Sequence, residues 1–392
     1  MLNLAVWNRV CLSTGFQRAW ELSKKGLGIA VVPTRSGQNT LQGRGSTERS
    51  MPEKVEHNVE TVLVTGGAGY IGSHTAIALI EAGHKVVVVD NFVNSQPDAL
   101  DVVSELMDTD ITVVEGDATD VGLLTKVMAD NGVTAVIHMA ALKAVGESVE
   151  MPLEYYRNNL GSAMATLEAM KAAGVWKFVF SSSATVYGDP ESCPIPESAG
   201  IGATNPYGMT KQMIEVIIRD VAAADEQWKI TSLRYFNPVG AHESGKVSEA
   251  PVGKPNNLMP MVMEVATGKR EKVMVFGNDW DTPDGTGVRD YIHIMDLVEG
   301  HVSALEFLEE QDGYQTYNLG QGVGTSVLEL IAGVEDATGL TIPYELTGRR
   351  AGDIAECVAD PTRANKILGW SAKRSTAQAC ADAWNSQDMN KA

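Results

Sequence analysis

Tyr207 and Lys211 stand four residues apart in the run NPYGMTKQMIEVI, so that on a helix both side chains emerge on one face. A phenol beside an ammonium is a device for taking a proton from an alcohol. A free phenol, with a pKa of about 10, is a poor base at neutral pH, and lowering it three units takes about 4 kcal/mol of differential stabilisation. A neighbouring ammonium, together with a cationic group bound beside it, would supply that. Tyr-x-x-x-Lys by itself arises often by chance. The upstream run FVFSSSATVYGD sharpens it, because Ser183 lies just past a strand pattern, where its hydroxyl can orient a substrate alcohol and share its proton with Tyr207.

The matching cofactor signal lies in TVLVTGGAGYIGSH, where a strand pattern runs into Gly66, Gly67, Gly69 and Gly72 and then into a helix. Glycines at this spacing permit a tight turn and close approach of the backbone to a pyrophosphate, while the helix N-terminus offers free N–H groups. The next strand ends in Asp90, eighteen residues past Gly72, where an acid accepts hydrogen bonds from the adenosine ribose and repels the extra phosphate of NADP. The expectation is NAD. Asp117 and the pair Ala140 and Ala141 fall at two later strand ends facing the same crevice, although each alone would pass for a helix cap or simple packing.

These residues need a scaffold, and the chain writes one. From Thr61 the apolar runs TVLVT, KVVVVD, ITVVEGD, TAVIHMA, KFVFSSS and ITSLRYF alternate with helical patterns, including one near Leu153 to Ala173 and one from about Pro206. Continuous β-branched runs separated by helices are parallel strands covered on both faces, giving an α/β, doubly wound parallel sheet of the Rossmann type. Beyond Phe236 the alternation gives way to Gly/Pro/Asn-rich connections, the usual setting of a substrate region. The expected division is a leader over 1–58, an NAD-binding domain over 59–236, and a smaller α/β region over 237–388 that mainly binds substrate.

Thirty-one basic against fifty acidic residues in 392 give a net charge of −19, which opposes binding to nucleic acid or an anionic membrane. Cys11, Cys193, Cys357 and Cys380 lie far apart with no Cys-x-x-Cys pair, so neither disulfides nor zinc are indicated and a reducing, cytoplasmic setting fits. The first fifty residues are different: seven Lys or Arg against two acids, ending in a Ser/Gly/Thr/Arg-rich stretch. Such a leader reads as an organelle transit segment, as a disordered tail, or as sequence upstream of a start at Met51.

Taken together, VTGGAGYIGSH, AALKAVGESV, SSSATVYGD, NPYGMTK, LRYFNPVGAH, PNNLMP, DGTGVRDYIH and RRAGD resemble, in order, the extended short-chain dehydrogenase/reductase superfamily and within it the UDP-glucose 4-epimerases. The resemblance runs from about Val62 to the C-terminal helix. It implies reversible inversion at carbon 4 of UDP-galactose and UDP-glucose through a 4-keto sugar, with NAD held throughout. It makes Tyr207 the proton acceptor, with Ser183 beside it and Lys211 tuning it and holding the nicotinamide ribose. Gly66, Gly69, Tyr70, Ile71 and Gly72 would cradle the pyrophosphate. Asp90, Asn91, Asn94 and Ser95 would serve the adenosine side, and Asp117 and Ala118 the adenine. Met139, Ala140, Ala141, Lys143, Asn158 and Phe236 would meet the rest of the cofactor. Asn237, Asn257, Leu258, Phe276, Arg289, Arg350 and Asp353 match the contacts to the uridine diphosphate and the sugar, the two arginines as bidentate phosphate ligands.

Two positions depart from the pattern. Ala141 stands where many members carry glycine. Cys357 stands where members carry either tyrosine or a smaller side chain, and a small residue there leaves room beside carbon 2 for an acetamido group, extending the expected substrates to UDP-N-acetylhexosamines; the alternative is a packing cysteine. A 4,6-dehydratase would need an acid–base pair after Ser183, where Ala184 and Thr185 stand. A non-catalytic NAD sensor need not keep Tyr207, Lys211 and the arginines, while another UDP-pentose or UDP-uronate epimerase stays open. Apolar residues on the helices near Leu153 to Ala173 (Met164, Leu167, Met170) and after Pro206 (Met213, Ile214, Ile217) suggest a homodimer, or a satisfied core.

Overall fold

In the computed structural model the apolar runs become strands β1 (Thr61–Thr65), β2 (Lys85–Asp90), β3 (Thr112–Glu115), β4 (Ala135–His138), β5 (Lys177–Ser183) and β6 (Lys229–Tyr235). The structure describes residues 58–389 except 251–254, 256 and 351, so nearly all of the leader lies outside the described residues. A seventh strand, β11 (Gly313–Leu319), completes an all-parallel sheet of order β11-β6-β5-β4-β1-β2-β3. The sheet therefore does not end at Phe236: its edge strand comes from the later half of the chain.

Side-chain alternation explains why these runs are apolar throughout. Val62 and Val64 point into a core shared with Ile77 and Leu79 of α1 (Tyr70–Glu81), while Leu63 between them points into a second core on the opposite face. The first face also takes α2 (Ala99–Met107) and α8 (Ile294–Phe307); the second takes α3 (Val121–Asn131), α5 (Pro152–Ala173) and α6 (Pro206–Ala224). Between β4 and α5 lies the short α4 (Val145–Glu150). Strand order reverses between β1 and β4, and crevices at such reversals are where α/β sheets bind ligands.

The later half adds β7 (Asn237–Val239), α7 (Leu258–Ala266), β8 (Val273–Phe276), β9 (Val288–Arg289), β10 (Tyr291–His293), β12 (Thr325–Ser326), α9 (Val327–Thr338), β13 (Tyr344–Thr347), β14 (Glu356–Cys357), α10 (Thr362–Ile367) and α11 (Thr376–Met389). The short strands pair as β10-β7, β12-β9-β14 and β13-β8. Met259, Val262, Val273, Leu330, Val334 and Cys380 close a third, smaller core. Among the described residues no helix is long and apolar enough to cross a membrane.

Candidate active site

A cleft of roughly 1080 Å³, including its open mouth, runs across the carboxyl ends of β1 to β5. The turn after β1 forms its floor. Gly66 has φ +73°, and a Cβ there would lie 2.8 Å from the Ala140 amide nitrogen, so the two strand ends touch at the reversal point through backbone alone. A Cβ on Gly72 would lie 2.4 Å from the Gly66 carbonyl oxygen and 2.6 Å from the Gly67 Cα. Helix α1 thus starts directly against the turn. Its N-cap, Gly69, provides no side-chain cap, and Tyr70 and Ile71 in its first turn line the cleft. This is a cradle for phosphate oxygens.

Asp90, at the end of β2, is nearly buried and holds its surroundings in place: its carboxylate accepts from Ala68 N at 2.9 Å, Phe92 N at 2.9 Å and Ser95 Oγ at 3.0 Å. A carboxylate has about four acceptor positions, which leaves one for a ribose hydroxyl. Ser95 lines the cleft and also holds Asp90. Asp117 accepts from Thr119 N and Oγ1 at 2.8 and 2.7 Å, and these bonds hold its carboxyl below the usual range. On the far wall Asn159 clamps the segment after β4, accepting from Leu142 N at 2.8 Å and donating to Leu142 O at 3.0 Å. Asn158 donates to the same side chain at 3.0 Å.

Helix α6 carries the proton-handling pair. Asn205 caps it by accepting from Gly208 N at 2.9 Å, and Pro206 opens its first turn. Tyr207 and Lys211 both reach the cleft, and Ser183 is the last residue of the adjoining β5. Lys211 is buried; its Nζ donates to the Ser181 carbonyl at 2.6 Å and sits 4.9 Å from the Phe180 ring centroid.

The electrostatics differ from expectation at one point. Burial raises the Tyr207 phenol above its ordinary value, and only Ser183 pulls it back. The help Lys211 can give depends on its own charge, because burial drags the ammonium down to about 7, opposed by the charge of Glu215. A consequence can be measured. The unfolded chain keeps the Lys211 proton up to its ordinary 10.5 and the folded chain only to about 7, so the lysine lowers stability below that window and ceases to do so above it. Stability should rise with pH across it, and Lys211→Met should flatten the rise in melting temperature between about pH 7 and about pH 9.

The cleft gathers every cofactor residue expected from the sequence except Ser183 and Phe236. Phe236 is buried against Ala184, Tyr187 and Ile195. The residues expected to contact the uridine diphosphate and the sugar, from Asn237 onward, do not line this cleft; they sit on the later half in three groups. Arg350 pairs with Asp353 at 2.9 Å, and its guanidinium lies 5.4 Å from the half-exposed Phe276 ring. Arg289 and Cys357 are register partners across β9 and β14, with Asn237 following Phe236 on β7. Asn257, just before Leu258 at the start of α7, donates to Glu249 at 2.7 Å, and Glu249 also pairs with Lys143 at 3.6 Å.

Glu249, Asn159 and Asp290 were not found in the sequence. Asp290 accepts from Gln321 N, Gly322 N and Ala359 N at 2.8, 2.9 and 3.1 Å, tying the Arg289 strand to two loops, and burial raises it to about 6. Asn159 had a faint signal, its place beside Asn158. Asp290 had the same kind of signal, its place after Arg289, and Glu249 had none.

The family described as NAD dependent epimerase/dehydratase matches residues 62–320. The UDP-glucose 4-epimerase of Bacillus subtilis is 55% identical over 329 residues, covering 84% of this chain and 97% of that protein. The solved UDP-glucose 4-epimerase of Bifidobacterium longum, in complex with NAD+ and UDP, is 51% identical with a TM-score of 0.82, covering 84% of this chain and 99% of that one. That of Stenotrophomonas maltophila, with bound NAD and formylated UDP-arabinopyranose, is 46% identical with a TM-score of 0.83, over 85% and 99%. The chain belongs to the NAD dependent epimerase/dehydratase family and, within it, to the UDP-glucose 4-epimerases.

Proposed function

We propose that the protein interconverts UDP-galactose and UDP-glucose by inverting carbon 4 of the hexose with NAD held in the cleft. The convergence of Tyr207 and Lys211 with the glycine cradle in one cleft, with Ser183 at the end of the adjoining β5, carries this reading. The residues fit the cofactor: the cradle takes the pyrophosphate, Asp90 keeps one acceptor position for a ribose hydroxyl, and Lys211 reaches the cleft beside Tyr207. When bound, NAD supplies acceptor and donor capacity for the hydrogen on carbon 4. Tyr207 Oη takes the proton of the 4-hydroxyl, with Ser183 Oγ holding that hydroxyl, and later returns it to the 4-oxygen on the other face of the turned 4-keto sugar. Arg289 and Arg350 hold the diphosphate so that the sugar can turn, placing binding energy away from the reacting carbon. Residues 59–236 supply mainly the cofactor side and 237–388 mainly the sugar nucleotide side.

The decisive assay gives purified protein UDP-galactose without added NAD and looks for UDP-glucose. Its appearance establishes the epimerase and a retained cofactor together; its absence from folded, NAD-loaded protein moves the reading to another UDP-sugar, with UDP-glucuronate tested next.

Cys357 favours a second substrate class. It is small, half-buried and opposite Arg289, so UDP-N-acetylhexosamines are included. Cys357→Tyr should lower turnover of UDP-N-acetylgalactosamine by about tenfold or more and leave UDP-galactose nearly unchanged, because filling the space excludes only the larger substituent. Equal turnover of both sugars by wild type and variant would leave Cys357 a packing residue.

The protein is a cytoplasmic homodimer on this reading, its free cysteines suiting a reducing compartment. Leu153 and Met164 on α5, with Met213 and Val216 on α6, are exposed apolar side chains on two adjacent helices, which a second copy would cover. Ultracentrifugation at micromolar concentration should find dimer; monomer alone would refute it.

A further inference from the structure

Three consecutive serines at the end of β5 each meet one residue of α6. Ser183 acts on the Tyr207 phenol, drawing it down against burial, the Ser181 carbonyl accepts from Lys211 Nζ at 2.6 Å, and Ser182 Oγ donates to Glu215 Oε1 at 2.5 Å. Tyr207, Lys211 and Glu215 follow at steps of four, so one helix face is laid residue by residue along one strand end. The first two pairs belong to the reaction. The third has no part in it, yet is the most strongly held: Arg234 of β6 donates to Glu215 through Nε at 2.9 Å and through Nη2 at 2.6 Å, a bidentate pair with both side chains buried. Arg234 Nη1 donates in turn to Tyr187 Oη at 2.9 Å, and Tyr187 Oη to Asn318 Oδ1 of β11 at 2.6 Å.

A buried ion pair is a weak source of stability, since well-packed apolar residues of similar volume often do as well. Its place under the Tyr207 helix calls for another account. We propose that Glu215, clamped by Ser182 and Arg234, is a positioning residue that fixes the register of the Tyr207 helix on β5 and supplies the negative charge that keeps Lys211 an ammonium. The proposal rests on the epimerase reading for its kinetic consequence only.

The other titratable groups around Tyr207 and Lys211 give the lysine no such help. Tyr207 on its own helix, Tyr235 of β6 and Tyr155 of α5 are phenols that burial raises, hence neutral. His138 of β4 is driven by burial to about 3 and is also neutral. The charge of Arg234 is taken up by Glu215. Burial takes Lys211 down to about 7, and Glu215 acts in the opposite direction. Without Glu215 the lysine would face the unpaired guanidinium of Arg234, and its proton would leave at lower pH still. A neutral amine cannot stabilise a Tyr207 phenolate.

The test uses the full-length holoenzyme as wild type, Glu215→Gln, Glu215→Asp and Ser182→Ala. Kinetics with UDP-galactose are followed from about pH 6 to about pH 9.5, and the Lys211 side chain is titrated by NMR of labelled lysine, assigned with Lys211→Met. Glu215→Gln should lower kcat about tenfold or more above neutral pH, move the alkaline limb about one unit toward acid and leave KM within about twofold, with Glu215→Asp restoring most of it. The Lys211 midpoint should fall in step. A folded, NAD-retaining Glu215→Gln with the wild-type profile and midpoint would overturn the proposal. If that variant does not fold, Ser182→Ala decides: a several-fold fall in kcat at constant KM supports the proposal, and wild-type kinetics overturn it. Wild type that turns over no UDP-sugar would sink the epimerase reading, while the Lys211 titration would still decide this one.

Discussion

Replacing Tyr207 by phenylalanine is expected to cut kcat for UDP-galactose about a thousandfold, with KM and bound cofactor near wild type, the scale of loss associated with general acid–base catalysis. The substitution removes one oxygen and keeps the ring, so α6 keeps its Asn205 cap and Lys211 keeps the Ser181 carbonyl. Ser183 is not left stranded, since its Oγ accepts from Thr185 N at 3.2 Å and from Thr185 Oγ1 at 3.0 Å. Folding is therefore spared and the loss falls on proton transfer. Burial raises the wild-type phenol, so kcat should climb with pH through neutrality, a limb the variant lacks. The measurement is the kcat–pH profile of both proteins with cofactor content read in parallel. A variant within tenfold of wild type would move the proton to Ser183 or solvent.

The scaffold was legible because its strands are buried on both faces and so are written as unbroken apolar runs, KVVVVD being the plainest. Strand β11 was not: GYQTYNL mixes polar with apolar residues at the sheet edge, and it pairs with β6 across a long insertion that sequence patterning does not bridge. The cofactor cleft was legible for a different reason, since turn geometry and close backbone approach demand glycine and leave a spaced signature. Charge–charge geometry leaves none. Glu215 and Arg234 look like ordinary charges on a helix and a strand, and only folding brings them together as a buried bidentate pair. Burial leaves no signature either: the sequence places Lys211 near Tyr207 but says nothing of how far burial discharges it.

Gly72→Ala should abolish cofactor retention and lower activity in the absence of added NAD by more than about a hundredfold, because overpacking rigid backbone forces a shift that a flexible neighbour would absorb. The new methyl carbon would stand 2.4 Å from the Gly66 carbonyl oxygen, 2.6 Å from the Gly67 Cα and 2.8 Å from the Gly67 carbonyl carbon, all backbone. Relief requires α1 to move away from the turn, and that turn is anchored by Gly66 N donating to Val89 O at 2.8 Å and by Asp90 accepting from Ala68 N at 2.9 Å. The helix N-terminus would leave the position from which it meets a pyrophosphate, and dipole and N–H contacts weaken steeply with distance. A matched control separates this from a general effect of alanine in a helix. At Gly161 on α5 an added Cβ meets only the Thr119 Cγ2 at 3.6 Å, so Gly161→Ala should retain NAD and gain about 0.5 kcal/mol of stability. The readout is the ultraviolet absorbance ratio of the purified proteins and the nucleotide released on denaturation. Full NAD content in Gly72→Ala would mean that the cradle yields, and that contacts elsewhere in the cleft, such as those at Asp90 and Lys211, hold the cofactor.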